Sequence, residues 1–268
     1  MSRIGKRFEL LRRQGRKALI PFVTAGDPQP SVTVPLMHAM VAAGADLIEL
    51  GVPFSDPMAD GPAIQLANER ALAHGTSLLQ VLEMVRRFRE QDDATPIVLM
   101  GYLNPIEVMG YAPFAEAAAA AGVDGSITVD LPPEEAGDFL PPLREAQIDP
   151  IFLLAPTSDR QRIERVSAVA SGFVYYVSIK GVTGSAAPDM KEVERRLAVI
   201  RSLTDLPVGV GFGIRDGATA ARAARIADAV IVGSALVNRI AELADRPAEI
   251  PEGVATLLRE MRGAMDEV

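Results

Sequence analysis

The regular alternation of short apolar runs with helical patterns most constrains the fold of this 268-residue chain. Between the runs lie segments whose apolar residues recur at helical spacing, joined by short connections. Such βα units predict a parallel sheet, and the near-continuous apolar character of the runs predicts strands buried on both faces. The eight predicted strands are 18–26, 45–51, 96–102, 125–130, 149–155, 172–178, 207–213 and 227–233.

Eight βα units favour a closed (β/α)8 barrel, the TIM-barrel fold of the α/β class. An open doubly wound sheet is the alternative, but no GxGxxG motif follows the first strand. No linker or low-complexity tract interrupts the pattern, so we expect a single TIM-barrel domain over 1–268. Ile4, Phe8 and Leu11 recur at helical spacing among basic residues, which predicts an extra amphipathic N-terminal helix.

Composition excludes several classes of protein. A formal net charge of -8 argues against nucleic-acid binding, which needs clustered Lys and Arg. No apolar run reaches membrane-spanning length and no secretory segment is present, so we expect a cytoplasmic protein without a membrane partner. The chain has no cysteine and only two histidines, which are far apart, so we expect no metal site.

The fourteen residues ELGVPFSDPMADGP, 49–62, bring carboxylates to the end of a predicted strand. Alternate strand residues of a barrel point inward, and Glu49 shares a face with Leu47 and Gly51. A carboxyl group buried there has a raised pKa, which suits general acid/base catalysis near neutral pH. Pairing with an arginine or with backbone amides is the structural alternative for Glu49.

Asp60 lies in the following loop, which three prolines stiffen. Its position before Pro62 is also compatible with an N-cap of the helix that begins there, so a structural role is nearly as well supported by the residues alone. Asp56, which precedes Pro57, is more typical of a turn or of a contact with a partner.

Three glycine-containing segments late in the chain follow predicted strands: 181–185, 211–217 and 232–237. Glycine allows a phosphate to approach the backbone, and a helix N-terminus supplies amide donors. Barrels often bind phosphate at the loops after strands 7 and 8. We therefore expect a phosphorylated ligand, with Ser234 as the cap of the last of these helices.

The motifs together resemble the tryptophan synthase α-subunit family along essentially the whole chain. The acid-containing stretch DLIELGVPFSDPMADGP is the most specific of them. The others are PFVTAGDP, LMGYLNPI, VDLPPEE, YYVSIKGVTG, VGFGI and VGSALV.

This resemblance implies a TIM-barrel lyase that cleaves indole-3-glycerol phosphate to indole and glyceraldehyde 3-phosphate in tryptophan biosynthesis. It implies no cofactor in this chain and a β-subunit partner, which carries pyridoxal phosphate, in an α2β2 tetramer. Glu49 and Asp60 would be the catalytic pair. The resemblance implies substrate contacts from Phe22, Tyr102, Tyr175, Thr183 and Phe212, and phosphate contacts from Gly184, Gly213, Gly233 and Ser234.

The chain departs from the family pattern after the sixth strand, where Ile179 and Lys180 replace a segment that often contains arginine. Lys180 also raises one alternative, a Schiff-base aldolase, although a lysine beside a glycine loop is usually solvated. The other alternative is a phosphate-binding regulatory subunit without chemistry of its own. The presence of both Glu49 and Asp60 argues against that interpretation.

Overall fold

The computed structural model describes residues 2–177, 190–211 and 213–268. Within them the predicted apolar runs form one sheet of parallel strands, in the order β5-β4-β3-β2-β1-β9-β8-β7-β6. The strands are β1 (Ala18–Thr24), β2 (Ile48–Gly51), β3 (Ile97–Gly101), β4 (Gly125–Thr128), β5 (Asp149–Pro150), β6 (Leu153–Leu154), β7 (Val174–Tyr176), β8 (Val208–Val210) and β9 (Ala229–Val232).

The two ends of this sheet belong to one segment of the chain, which closes the barrel. We predict one strand over 149–155, and the structure divides it into β5, which pairs with β4, and β6, which pairs with β7. Ile151 N donates to Ser126 O at 2.9 Å and Tyr175 N donates to Phe152 O at 3.1 Å, so both ladders continue through the junction. Pro150, the last residue of β5, has no N–H that it could donate to a neighbouring strand. The eight predicted strand segments therefore form a TIM barrel.

Twelve α-helices and one short 3-10 helix occur in the described parts of the chain. Most of them follow a strand and pack on the outside of the barrel, where their apolar faces bury the outward-facing strand residues. They are α1 (Arg3–Arg13), α2 (Pro30–Ala42), α3 (Pro62–Ala73), α4 (Leu78–Arg89), α5 (Leu103–Met109), α6 (Tyr111–Ala121), α7 (Leu140–Glu145), α8 (Arg160–Val169), α9 (Met190–Arg201), α10 (Gly217–Ala224), α11 (Ser234–Glu242) and α12 (Ile250–Asp266), with Pro247–Glu249 the 3-10 helix.

The barrel interior is a separate apolar cluster, built from every second strand residue. The predicted N-terminal helix is confirmed as α1, and its buried Ile4, Phe8 and Leu11 belong to this interior cluster. A Cβ atom built on Gly125, the first residue of β4, would lie 3.0 Å from the Ile4 side chain. α1 thus covers the N-terminal end of the strands, which leaves the opposite end for a site.

Candidate active site at the carboxyl ends of the strands

A cavity opens at the C-terminal ends of the first strands, where the chemistry of this fold is expected. Residues from β1, β2 and β3 form its base, and α3 covers one side. Its lining is mostly apolar, with three polar side chains among the ten residues. The lining residues are Phe22, Gly51, Val52, Asp60, Ile64, Asn68, Met100, Gly101, Tyr102 and Val129.

Glu49 lies in the middle of β2, which is buried along its whole length. In the sheet register it stands between Phe22 and Val98, and its neighbour two residues earlier, Leu47, belongs to the interior cluster. The residue is 1% exposed, and its Oε1 atom has no hydrogen-bond partner. No arginine or backbone amide satisfies that oxygen, which argues against the structural alternative for Glu49.

The electrostatics of Glu49 follow from this burial. Removal from water raises the pKa of the carboxyl group, and the charge of Asp60 raises it further, to about 8. At neutral pH the side chain is therefore mostly protonated. It can deliver a proton into the barrel and then, as a carboxylate, accept one.

Asp60 lies on the loop between β2 and α3 and lines the cavity. Burial raises its pKa, while hydrogen bonds from Tyr102 and Asn68 lower it. The N-cap alternative for this residue is wrong, because Gly61 occupies the cap position of α3 and no side chain caps that helix end. The Asp60 carboxylate is thus available to the cavity rather than to the helix.

The loop that carries Asp60 is tied to its surroundings by specific contacts. The Tyr102 hydroxyl accepts a hydrogen bond from Ala59 N at 2.9 Å, and Gln65 Nε2 donates to the Asp60 backbone oxygen at 2.9 Å. The rings of Phe54 and Tyr102 stack with centroids 5.0 Å apart. These contacts limit the positions that the loop can adopt and so place the carboxylate beside the cavity.

Comparison with known proteins shows the family of the chain. A family model described as tryptophan synthase alpha chain matches residues 8–266. The alpha chain of Thioalkalivibrio sulfidiphilus is 68% identical over 99% of this chain and 100% of its own length, and that of Nitrosococcus oceani is 65% identical over 99% and 98%. The crystal structure of the alpha subunit from Legionella pneumophila superposes with a TM-score of 0.94, at 46% identity, and covers 100% of both chains.

The chain belongs to the tryptophan synthase alpha chain family. Members of this family are lyases that cleave indole-3-glycerol phosphate in tryptophan biosynthesis. The family resemblance that the sequence motifs indicate is therefore confirmed, as are the TIM-barrel fold and the enzymatic activity. Family membership also implies a small-molecule substrate and a beta-subunit partner.

Tyr175, a substrate contact implied by the family resemblance, lies on β7 in the interior cluster and is 8% exposed. The pKa of its phenol is raised by burial and by the charge of Glu49. A Cβ atom on Gly211 would come within 2.3 Å of the Tyr175 hydroxyl, so only glycine leaves room for this ring. Tyr175 thus lies near Glu49, although it does not line the cavity itself.

The described parts of the last two glycine segments, around Gly213 and Gly233, follow β8 and β9 at the same end of the barrel. Gly233 is the N-cap of α11, and Ser234 is the first residue of the helix, so the expectation of Ser234 as the cap is wrong by one position. A Cβ on Gly233 would lie 3.8 Å from Phe22, next to the cavity wall. Gly213 has a φ of 54°, a conformation that glycine adopts without strain, and its surroundings are open. Thr183, Gly184, Phe212 and the aldolase candidate Lys180 fall outside the described residues.

One polar residue of the cavity is absent from the sequence-based prediction. Asn68 is 4% exposed, and it lies on the face of α3 that also buries Ala67 and Ala71. A polar side chain on the buried face of a helix is a sequence-level indication of a specific contact, and it could have revealed this residue. Among the described residues no group of three or more potential ligands could hold a metal ion, and no helix there is long and apolar enough to cross a membrane.

Proposed function

We propose that Glu49 moves the protons of indole-3-glycerol phosphate cleavage in this chain, with Asp60 as the counter-charge. The observation that carries this assignment is the unpartnered Oε1 of Glu49, buried in the barrel interior below the cavity that Asp60 lines. An orphaned buried carboxyl oxygen is costly, and it is tolerated where a substrate supplies the missing partner.

The proposed reaction starts with Glu49 protonated. The carboxyl group gives its proton to carbon C3 of the indole ring, which places a positive charge on the ring nitrogen. Asp60, as a carboxylate, accepts a hydrogen bond from that N–H and stabilises the charge. Glu49, now ionised, takes the proton of the side-chain hydroxyl while the carbon–carbon bond breaks and its electrons return to the ring. Indole and the aldehyde result, and Glu49 is protonated again.

The remaining assignments concern binding. Phe22 and Tyr102, whose rings line the cavity, are proposed to contact the indole and glycerol parts of the substrate together with Tyr175, Thr183 and Phe212. Backbone amides of Gly184, Gly213, Gly233 and Ser234 are proposed to bind the phosphate, supported by the position of the last two at the start of α11.

We also propose that the chain is a single domain that works in the cytoplasm, in an α2β2 tetramer with the beta subunit. The partner would hold pyridoxal phosphate, and the cleavage itself would need no cofactor in this chain because its own carboxyl groups carry the proton and the charge. The product, indole, is small and apolar, so transfer within a complex would prevent its loss.

The test is the rate of indole release from indole-3-glycerol phosphate by Glu49→Gln and Asp60→Asn. We expect both variants to fold and to retain affinity for glycerol 3-phosphate. Glu49→Gln should lose more than about a thousandfold in kcat, because it removes the general acid and base together. Asp60→Asn should lose about a hundredfold or more, because a neutral amide cannot balance the ring charge. Unchanged release by Glu49→Gln would refute the assignment, and borohydride trapping of a substrate adduct would favour the Lys180 aldolase instead.

A further inference from the structure

Asn68 of α3 lines the cavity together with Asp60, which lies on the loop before this helix. It is almost completely buried, it lines the same cavity as Asp60, and its side chain lies close enough to lower the pKa of the Asp60 carboxyl group. Beside a carboxylate, which only accepts hydrogen bonds, the amide group of asparagine must present its NH2 donors. The contact is therefore directional, and it stabilises the ionised form of Asp60 more than the protonated form.

The helix that carries Asn68 is anchored two residues further on. Arg70 of α3 forms a two-pronged ion pair with Asp27, with Nε to Oδ1 at 2.6 Å and Nη2 to Oδ2 at 2.9 Å. Asp27 lies in the loop after β1 and is 1% exposed, so the pair fixes α3 to the barrel. Ala67 and Ala71, on either side of Asn68, are fully buried. Asn68 consequently approaches Asp60 from a rigid position.

The second group that lowers the pKa of Asp60 is Tyr102, which is also buried. The hydroxyl of Tyr102 also lowers the pKa of Asp60, and it accepts a hydrogen bond from Ala59 N, which lies on the same loop as Asp60. The contact from Tyr102 therefore depends on the position of this loop. Asn68 is the donor that comes from a helix of the barrel wall.

We infer that Asn68 is a positioning residue of the reaction, which orients the Asp60 carboxylate toward the substrate's ring nitrogen. This inference rests on the proposed role of Asp60. Burial opposes the ionised form of Asp60, and a protonated Asp60 could not balance a positive ring nitrogen. The amide of Asn68 compensates for part of that burial without adding a charge of its own to the cavity.

The test is the pH dependence of kcat/KM for indole release by the full-length chain and by Asn68→Ala. If Asn68 keeps Asp60 ionised, its removal raises the pKa of Asp60, and the acidic limb of the profile moves to higher pH by about one unit. At the pH optimum kcat should fall about tenfold, with little change in the affinity for glycerol 3-phosphate. Asn68→Leu, which retains most of the side-chain volume, should show the same displacement if Asn68→Ala does not fold.

Gln65→Ala is the matched control, because Gln65 lies on the same helix and also donates an amide hydrogen bond to Asp60, but to its backbone oxygen. It should leave the acidic limb in place whatever its effect on the rate. An acidic limb that does not move in either Asn68 variant would overturn the inference. If the proposed function is wrong, Asp60→Asn remains active. If Asp60→Asn is inactive but the Asn68 variants keep the wild-type pH profile, only the role of Asn68 is refuted.

Discussion

At the scale of one residue, the proposed catalytic role of Glu49 has a cost in stability. In the native state the pKa of this carboxyl group is raised to about 8, whereas in an unfolded chain its pKa is near the ordinary value of 4.5. The unfolded state therefore gains from ionisation in the interval between these two values, and the native state does not. The free energy of unfolding should fall across that interval because the native state binds more protons.

This linkage predicts the behaviour of Glu49→Gln, which cannot ionise. Below pH 4.5 the carboxyl group of the wild type is neutral in both states and contributes no pH dependence. From pH 4.5 to 8 the wild type should lose stability relative to the variant, by about 3 kcal/mol at pH 7, and the difference should level off above pH 8. Urea unfolding of both proteins across this range is the measurement. A difference that stays constant with pH would show that Glu49 ionises in the folded protein as it does in water.

At the scale of elements, the start of α11 is the described part of the proposed phosphate site that can be tested most directly. Ser234 is exposed at the first position of the helix, directly after the Gly233 cap, so its replacement disturbs no buried packing. The first amides of a helix lack partners within it and carry partial positive charge. A phosphate and a carboxylate would compete for them.

Ser234→Asp should therefore weaken binding of glycerol 3-phosphate about tenfold or more while leaving indole binding nearly unchanged, as measured by calorimetry with each ligand. Ser234→Asn is the control, since it adds similar volume without a charge and should retain most of the phosphate affinity. Equal losses for both ligands in Ser234→Asp would mean that the phosphate lies elsewhere or that the cavity has been damaged.

At the scale of the whole molecule, exposed apolar surface lies beside the mouth of the cavity. Met58 is 86% exposed, the highest value for a large hydrophobic residue in the described chain, and it lies two residues before Asp60. A groove between this loop and α3 has a mixed lining, with apolar Phe54, Pro57, Met58 and Leu72 beside polar or charged Ser55, Asp56, Gln65 and Glu69. Exposed apolar patches of this kind mark interfaces, and the position favours docking of the beta subunit on this face.

Met58→Glu should therefore abolish most of the stimulation of indole release by excess beta subunit and change the rate of the isolated chain less than about threefold. Docking and the position of Asp60 would be coupled through the shared loop, and such coupling is reciprocal for binding. Leu10→Glu is the control, because Leu10 is also exposed but lies on α1 at the other end of the barrel. Stimulation that survives in Met58→Glu would place the docking face elsewhere.

The sequence by itself determined the elements and the orientation of Glu49. Apolar runs and helical spacing are local properties, so they predict the strand segments and α1. The two-residue period of a strand puts Glu49 on the face of Leu47, and Leu47 is in the barrel interior. Burial of a carboxyl group then follows from elementary electrostatics, and so does its raised pKa.

Only the tertiary structure decided which groups meet. The segment 149–155 pairs with a different strand at each of its two ends, which depends on closure of the ring rather than on local pattern. Asp60 before Pro62 is compatible with a helix cap in sequence, and the path of the loop decides against it. In the sequence, Asn68 is one polar residue within a helix. Only the packing of α3 against the barrel places its side chain beside Asp60 at the cavity. The physical reason is that spacing specifies a face within one element, whereas contacts between elements depend on how the whole barrel packs.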